Sequence, residues 1–254
     1  MKRLVLFMLL VGGASLLGLK PTYAAQGSIP IPAQYWSFES PLGKFDRSAL
    51  QRGLQIYIEI CASCHSLRHV RYQDLEFIGY SREDIQRIAR DYEVQDGPDD
   101  EGQMYQRPAL PQDFFVEPFA NAQAARAANG GAYPPDLSLI TLSRRNALNY
   151  TAALLQGYRD APPGVRLTEG KYYNIYFPGK QIGMPPPLLD DIIDYEDGTL
   201  ASVDQMALDI TTFLAWAAEP KAEKRKTIGL QVVIFLFFLL LLVLASKKRI
   251  WKNI

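Results

Sequence analysis

The sequence has little cysteine and little histidine, with two of each among 254 residues. Two cysteines make only half of a four-ligand zinc site, and no second cysteine pair completes it. No internal repeat is visible in the chain either. The few side chains suited to metal or redox chemistry are therefore concentrated in one short stretch.

That stretch is Cys61-Ala62-Ser63-Cys64-His65. C-x-x-C-H is the attachment motif of a c-type haem. Two thiols about one helical turn apart can each bond a haem vinyl group, and the adjacent imidazole then lies over the iron as the proximal ligand. A thioredoxin-like redox pair is the alternative, although such a pair does not call for the following histidine. Once one haem takes both thiols, no structural disulfide can form.

The opposite face of such a haem needs a sixth ligand or stays open. Met184 precedes three consecutive prolines, which stiffen an extended segment able to hold a thioether towards a flat cofactor. The alternative for Met184 is packing in a surface loop. Met206 lies on the apolar stripe of a predicted helix and Met104 in an acidic loop, which favours core packing and solvent exposure respectively. His69 follows His65 by four residues and projects from the same side.

Ligation by histidine and methionine has two consequences. It leaves no vacant iron site and raises the reduction potential, so such a haem passes single electrons and does not activate a substrate. The sequence also predicts that Nδ1 of His65 donates to a backbone carbonyl, which keeps Nε2 for the iron.

The N-terminal end is typical of a secretory signal peptide at residues 1–24. Lys2 and Arg3 precede an apolar run, and small residues flank a cleavage site after Ala24. A membrane-spanning N-terminus is the alternative, but the run is short and contains glycine. The exported haem domain then covers residues 25–220.

Residues 221–254 are predicted to form a transmembrane anchor and a short basic cytoplasmic tail. Residues 228–245 are almost wholly apolar and would span about 27 Å as a helix, close to the thickness of a bilayer core. A buried core helix is the alternative, although this run is apolar on every face. The signal peptide orients the anchor, which predicts a single-pass protein of a bacterial inner membrane with its haem domain in the periplasm.

The formal net charge of zero conceals an acidic head. Residues 25–220 hold 16 basic and 26 acidic side chains, a net charge near −10. This charge argues against nucleic acid as a partner and favours a basic protein. Acidic runs at residues 91–101 and 190–197 could steer such a partner, or they are ordinary solvated loops. Neither run has the ligand spacing of a calcium loop.

Apolar periodicity predicts a mainly α-helical head behind an extended arm over residues 27–42. The first helix begins near Asp46 or Ser48 and leads into the haem motif, and Gly53 marks a close crossing with the last head helix. Further helices are capped by Ser81 and Ser202. The remaining predicted elements are helices over residues 121–129 and 146–156 and a hairpin over residues 165–177 that turns at Glu169-Gly170.

Several motifs together resemble the cytochrome c1 family, the haem subunit of ubiquinol–cytochrome c reductase. The similarity runs from about Arg52 to Lys248. Besides the haem motif it includes Val94-Gln95-Asp96-Gly97-Pro98, residues 124–138 with Tyr133-Pro134-Pro135-Asp136, Tyr176-Phe177-Pro178-Gly179, Ile182-Gly183-Met184 and Trp216-Ala217-Ala218-Glu219-Pro220.

The resemblance implies an enlarged class I cytochrome c-like domain with one covalent haem c per chain and Met184 as the sixth iron ligand. It further implies a haem lining of Asn129, Pro134, Pro135, Arg144, Tyr150 and Phe177. Arg144 would lie near a propionate, although from the sequence alone it could equally be a solvated surface arginine. Some relatives carry an extra disulfide, for which this chain has no cysteines, so packing and proline must hold its Met184 loop.

The resemblance also implies partners and an activity. Electrons would come from a Rieske iron–sulfur protein, reduced by quinol at cytochrome b, and leave to a soluble basic cytochrome c within a dimeric complex. The chain would then be the cytochrome c1 subunit of an enzyme whose quinol oxidation takes place in partner subunits. One alternative is a free-standing membrane-anchored shuttle cytochrome, and another is a haem enzyme or gas sensor with an open distal site.

Overall fold

The structure is a computed structural model that describes residues 29–253. The signal peptide predicted at residues 1–24 lies outside this range. The helices are α1 (Arg47–Glu59), α2 (Arg82–Arg90), α3 (Ala122–Ala128), α4 (Ala147–Gln156), α5 (Val203–Ala218) and α6 (Ala222–Ile250), and the strands are β1 (Glu93–Asp96), β2 (Tyr105–Pro108), β3 (Tyr172–Tyr173) and β4 (Gln181–Ile182). Short 3₁₀ segments lie at Cys61–Ser63, Tyr72–Ile78, Ile140–Leu142, Pro178–Lys180 and Trp251–Asn253.

Helix α1 begins where the sequence predicts and ends immediately before the haem motif. The Asp46 carboxylate accepts hydrogen bonds from the backbone N–H groups of Ser48 and Ala49, which caps the first turn. Leu54 and Tyr57 are fully buried on the face that continues into the haem motif. The cap therefore fixes the start of this helix and the apolar periodicity fixes its buried face, which leads to the predicted site.

The predicted close crossing of α1 and α5 at Gly53 is confirmed. A Cβ atom at Gly53 would lie 2.4 Å from the Asp209 carbonyl oxygen and 2.5 Å from Cβ of Phe213. The absent side chain lets Arg52 reach Asp209 through two hydrogen bonds of 2.8 and 3.0 Å. Asp209 is 1% exposed and also accepts from the Tyr195 hydroxyl at 3.1 Å. A buried charge is thus paired at the point of closest backbone approach.

Helix α5 supplies the largest part of the core. The Ser202 hydroxyl accepts from the Gln205 backbone N–H at 3.2 Å, which confirms the predicted cap. Met206 is fully buried on this helix, whereas Met104 is 54% exposed in the turn between β1 and β2. The predictions for these two methionines, core packing and solvent exposure, are therefore confirmed.

The other predicted helices also form. The Ser81 hydroxyl accepts from the Asp84 backbone N–H and donates to the Asp84 carboxylate, which caps the start of α2, and Asn121 caps α3. Helix α4 ends at Gly157, as predicted. The arm is held against the head at Trp36, which is buried and whose indole N–H donates to Asn149 in α4 at 2.9 Å.

The hairpin predicted over residues 165–177 is wrong. A turn does occur at Glu169-Gly170, but β3 pairs antiparallel with β4, with Tyr172 opposite Ile182. The reason is a sharp turn after β3, where the Asn174 side chain accepts from the backbone N–H groups of Tyr176 and Phe177. This turn folds the chain back on the residues that follow, so β3 pairs forwards.

The first acidic run contains regular structure and is not simply a solvated loop. Its residues Glu93–Asp96 form β1, which pairs with β2. Arg107 on β2 bridges Asp96 and Asp113, and its guanidinium holds the pKa of both carboxyls below the usual range. Asp99, Asp100 and Glu101 remain exposed in the turn between the strands.

Helix α6 is long and apolar enough to cross a membrane. It is 29 residues long and contains an apolar stretch of 18 residues with a mean hydropathy of 3.0. No residue of that stretch is buried in the protein. The alternative of a buried core helix therefore does not fit. Glu223 in its first turn accepts from Arg47 and from the Phe45 backbone N–H, which joins the helix to the start of α1.

Substitution Gly53→Ala tests the crossing. The added methyl group meets backbone, which cannot rotate away, so we expect a loss of about 2–3 kcal/mol in unfolding free energy or failure to accumulate. Chemical unfolding followed by circular dichroism measures the effect. Gly229→Ala is the matched control, since a Cβ atom there meets nothing within 4 Å, and equal stability of the two variants would contradict the close approach.

Candidate haem site

The two cysteines and His65 lie on a single turn after α1. The backbone N–H groups of Cys64 and His65 both donate to the Cys61 carbonyl, at 3.1 and 2.9 Å. Both thiols are free and half-buried, and burial raises the pKa of the Cys61 thiol to about 12. The turn thus presents two reduced thiols within one helical step, which is the arrangement that thioether attachment requires.

The His65 ring is fixed by a backbone carbonyl, as the sequence predicts. Its Nδ1 lies 2.7 Å from the Pro135 carbonyl oxygen. Since a carbonyl only accepts, Nδ1 carries the proton and Nε2 keeps a free lone pair. Burial lowers the pKa of His65 below its usual value, which favours the neutral ring that ligates iron. The Tyr57 hydroxyl holds the other side of the residue by donating to the His65 carbonyl at 3.1 Å.

Asp136 keeps the Pro135 carbonyl in place, a role that the sequence analysis missed. Its Oδ2 accepts from the Ser66 hydroxyl at 2.8 Å and from the Arg68 backbone N–H at 3.0 Å, while Oδ1 accepts from the Ser138 N–H at 2.9 Å. Burial acts to raise the pKa of this carboxyl, but these hydrogen bonds outweigh it and the pKa lies below the usual range. Asp136 directly follows two prolines and precedes Ser138 by two residues, a pattern that is typical of a turn. This signal could have identified Asp136 from the sequence.

The loop from Asn129 to Pro134 comes back to the cysteine turn. Asn129 ends α3 and donates its side-chain amide to the Ala125 carbonyl at 2.7 Å. Gly130 and Gly131 follow with φ values of 58° and 87°, which glycine adopts without strain. Pro134 then lines a small cleft together with Cys64. The structure therefore brings Cys64, His65, Pro134 and Pro135 together.

The segment carrying Met184 contacts the same loop. A Cβ atom at Gly183 would lie 3.2 Å from Cβ of Ala132, so the two segments touch where Gly183 has no side chain. Met184 itself is half-buried, and its backbone carbonyl accepts from the Tyr158 hydroxyl at 3.1 Å. Tyr158, which the sequence analysis also missed, therefore ties the Met184 backbone to the segment after α4.

Asn174 is a further organising residue without a sequence signal. It is fully buried, donates to the Leu154 carbonyl at 2.7 Å and accepts from the backbone N–H groups of Tyr176 and Phe177 at 3.0 and 3.2 Å. A Cβ atom at Gly157 would lie 2.7 Å from its Oδ1, so glycine at that position makes room for the amide. Phe177 is thereby held near the end of α4.

Arg144 and Tyr150 form a pair at the start of α4. The guanidinium carbon of Arg144 lies 4.3 Å from the centre of the Tyr150 ring, a cation–π contact. Arg144 is exposed and makes no ion pair with any residue between 29 and 253. Burial and, secondarily, Tyr150 raise the pKa of Tyr158, the residue that contacts Met184.

The donor set fits a haem better than a bare metal ion. Within residues 29–253, no three His, Cys, Asp or Glu side chains lie close enough together to hold an ion. A haem supplies four ring nitrogens of its own and needs only axial ligands and its thiol attachments. Free thiols on one turn and an imidazole with an open Nε2 meet that requirement.

A mainly helical domain with this donor set, joined to an apolar helix, defines the class of c-type cytochromes with a membrane anchor. The model of the Cytochrome C1 family matches residues 36–254. The chain is 43% identical to cytochrome c1 of Rhodospirillum rubrum, over 97% of this chain and 94% of that protein, and 46% identical to the mitochondrial cytochrome c1 haem protein of Saccharomyces cerevisiae, over 91% and 75%. It is also 46% identical to a Bradyrhizobium diazoefficiens protein named cytochrome b/c1, of which it spans 40%.

The chain belongs to the cytochrome c1 family. Cytochrome c1 is the haem subunit of the bc1 complex, so this membership identifies an electron-transfer haem protein of a respiratory chain. The family resemblance drawn from the sequence is confirmed, and with it the mainly α-helical cytochrome fold.

Substitution Tyr158→Phe tests the support of the Met184 loop. It removes one hydrogen bond, worth about 1 kcal/mol, from the Met184 carbonyl and keeps the ring. If Met184 ligates the haem iron, the near-infrared methionine–iron band of the oxidised haem should be lost at a lower temperature than in the wild type. Tyr172→Phe is the control, since the Tyr172 hydroxyl makes no hydrogen bond within the described chain. A parallel loss in both variants would contradict the assigned role.

Proposed function

We propose that the chain binds one haem c covalently, through thioether bonds from Cys61 and Cys64. His65 would bind iron through Nε2, and Met184 would supply the thioether of the sixth position. The observation that carries this proposal is the 2.7 Å contact from His65 Nδ1 to the Pro135 carbonyl, beside two free thiols on one turn. That contact fixes the tautomer an iron ligand needs.

The remaining lining residues would pack against the haem and place a positive charge at its edge. Asn129, Pro134, Pro135 and Phe177 lie on the loops that adjoin His65 and Met184, and would exclude water from the ring. Arg144 carries an exposed charge held over Tyr150, which suits a propionate carboxylate. When bound, the haem supplies one-electron chemistry, and the protein holds its ligands and sets its polarity.

The proposed reaction is single-electron transfer from a Rieske iron–sulfur protein to a soluble basic cytochrome c. The chain would act as a subunit of a dimeric ubiquinol–cytochrome c reductase together with cytochrome b, and quinol oxidation would belong to those partner subunits. The enlarged cytochrome fold and the family membership support this reading. An axial methionine would leave no open iron site for a gas or a substrate.

Exposed acids on the head would raise the rate of encounter with a basic carrier. Asp99, Asp100 and Glu101 project from the β1–β2 turn, and Asp191 and Asp194 are exposed near α5. Asp197 is instead engaged, since the Thr199 backbone N–H and Arg52 lower its pKa to about 2. Electrostatic steering fades with added salt. A cytochrome c reduction rate that does not change with ionic strength would contradict this role.

The proposed topology is a signal peptide at residues 1–24, a periplasmic haem domain at 25–220 and an anchor with a basic tail at 221–254. A mean hydropathy of 3.0 in the apolar stretch of α6 supports the anchor. Lys247, Lys248 and Arg249 in the last turns of α6 suit the cytoplasmic side of a bacterial inner membrane.

Substitution Met184→Leu tests the sixth ligand. Loss of the thioether should abolish the near-infrared methionine–iron band and lower the reduction potential by more than about 100 mV, within the roughly 0.8 V range that axial ligands span. Optical redox titration measures both. The control Met104→Leu changes an exposed methionine and should leave them unaltered. An unchanged spectrum and potential in Met184→Leu would instead favour an open or differently ligated haem.

Purification of the tagged full chain from its membrane in mild detergent tests the complex. We expect b-type haem and a Rieske electron paramagnetic resonance signal to co-purify with the c-type haem, because the proposed function requires both partners. The control is the same purification with the tag on an unrelated membrane protein. Quinol-driven reduction of a lone c-type haem in membranes lacking those partners would point to the free-standing shuttle instead.

A further inference from the structure

A cleft lies where the haem domain meets the start of α6. Its volume is about 180 Å³. Aromatic side chains from three separate segments line it, namely Phe45 before α1, Phe77 in the 3₁₀ segment and Trp216 near the end of α5. Phe77 is 51% exposed, an unusual position for an aromatic ring on an otherwise acidic head. None of the residues proposed to hold the haem lines this cleft.

The charged groups around this cleft are cationic in sum. Arg47, Lys221, Glu223 and Lys224 line it. The Glu223 carboxylate is already paired within the protein, because its two oxygens accept from Arg47 Nη2 at 2.8 Å and from the Phe45 backbone N–H at 2.9 Å. Lys221 and Lys224 are exposed and make no ion pair within residues 29–253. Two ammonium groups therefore remain available to an anion.

Trp216, which lines the same cleft, carries an unpaired buried donor. The residue is 1% exposed, and its indole N–H has no acceptor in the part of the chain that the structure describes. A buried donor without a partner costs about 1–3 kcal/mol, so such groups normally have one. An acceptor oxygen brought into the cleft by a ligand would remove that cost.

The position of the cleft relative to the apolar run of α6 indicates which kind of anion would bind there. The apolar run of α6 begins at Ile228. Lys224 lies four residues before it, or about 6 Å along the helix. Cations and tryptophan at that distance from a hydrocarbon core lie at the level of lipid headgroups.

We propose that this cleft binds the phosphate headgroup of an anionic phospholipid from the leaflet on the haem-domain side. The two lysines would pair with the phosphate, the Trp216 N–H would donate to a headgroup oxygen, and Phe77 would lie along an acyl chain. The lipid would then bridge α1, α5 and α6 at the base of the head. The proposal rests on the proposed membrane anchor but not on electron transfer.

Photolabelling of the full haem-loaded complex in nanodiscs tests the proposal. The discs contain phosphatidylcholine and phosphatidylglycerol with a photoreactive headgroup, and mass spectrometry locates the labelled peptides. We expect labelling at residues 45–47 and 216–224 that falls about fivefold or more in Lys221→Gln/Lys224→Gln. Lys221→Arg/Lys224→Arg should retain it, and Lys247→Gln/Lys248→Gln, at the other end of α6, should leave it unchanged.

Trp216→Phe provides an independent variant that removes the indole N–H and keeps an aromatic ring at this position. We expect weaker labelling at the cleft with an unaltered haem spectrum, because the donor is lost while none of the residues proposed to hold the haem is changed. Equal labelling by the same photoprobe on phosphatidylcholine, or labelling that neutralised lysines do not reduce, would overturn the proposal. A crosslink from the cleft to another polypeptide of the complex would overturn it in favour of a protein occupant. Failure of the proposed function would show instead as a missing c-type haem spectrum.

Discussion

The contact between α1 and α5 at Gly53 is the constraint on which the rest of the molecule depends. Helix α1 ends at the cysteine turn and α5 leads into α6, so their crossing sets where the haem site stands relative to the anchor. The crossing cannot relax, because it places the Asp209 carbonyl against the Gly53 backbone and pairs Arg52 with a carboxylate that is 1% exposed. Removal of one partner of such a pair typically costs on the order of 3–5 kcal/mol, since the other charge stays buried.

The haem site is built outwards from this crossing in two parts. The proximal part is continuous with α1: Tyr57 is buried at the crossing and donates to the His65 carbonyl, and His65 in turn contacts Pro135, which Asp136 holds. The part carrying Met184 depends on different residues. Its β3–β4 pairing follows from the turn at Asn174, and Tyr158 holds the Met184 carbonyl. A chain without a further cysteine pair for a disulfide thus holds this loop by two polar side chains, the buried Asn174 and the half-buried Tyr158.

The sequence predicted well wherever one residue type has one physical reason to be present. Asp46, Ser81 and Ser202 cap helices because their side chains satisfy free backbone donors, and Gly53 marks a close approach because no other residue fits. The haem motif follows from the same kind of local chemistry, which also predicted that His65 contacts a backbone carbonyl but not that the carbonyl belongs to Pro135. The hairpin over residues 165–177 was predicted wrongly because local turn signals do not include the buried Asn174, whose effect depends on α4 and on the chain that follows. The roles of Asp136, Tyr158 and Asn174 were not predicted for the same reason, since each acts through partners distant in sequence.

The separation of the two parts has a mechanical consequence. Thioether bonds and the α1–α5 crossing would keep the haem fixed on its proximal side whatever the Met184 segment does. That segment contacts the proximal loop where Gly183 meets Ala132, and its own hydrogen bonds run to Tyr158 and across β3–β4. In the proposed haem protein, methionine ligation would therefore be set by a small, separately stabilised loop, while the fold and its link to the anchor depend on the core. The reduction potential and the stability of the fold would then be able to change independently, because different residues would determine them.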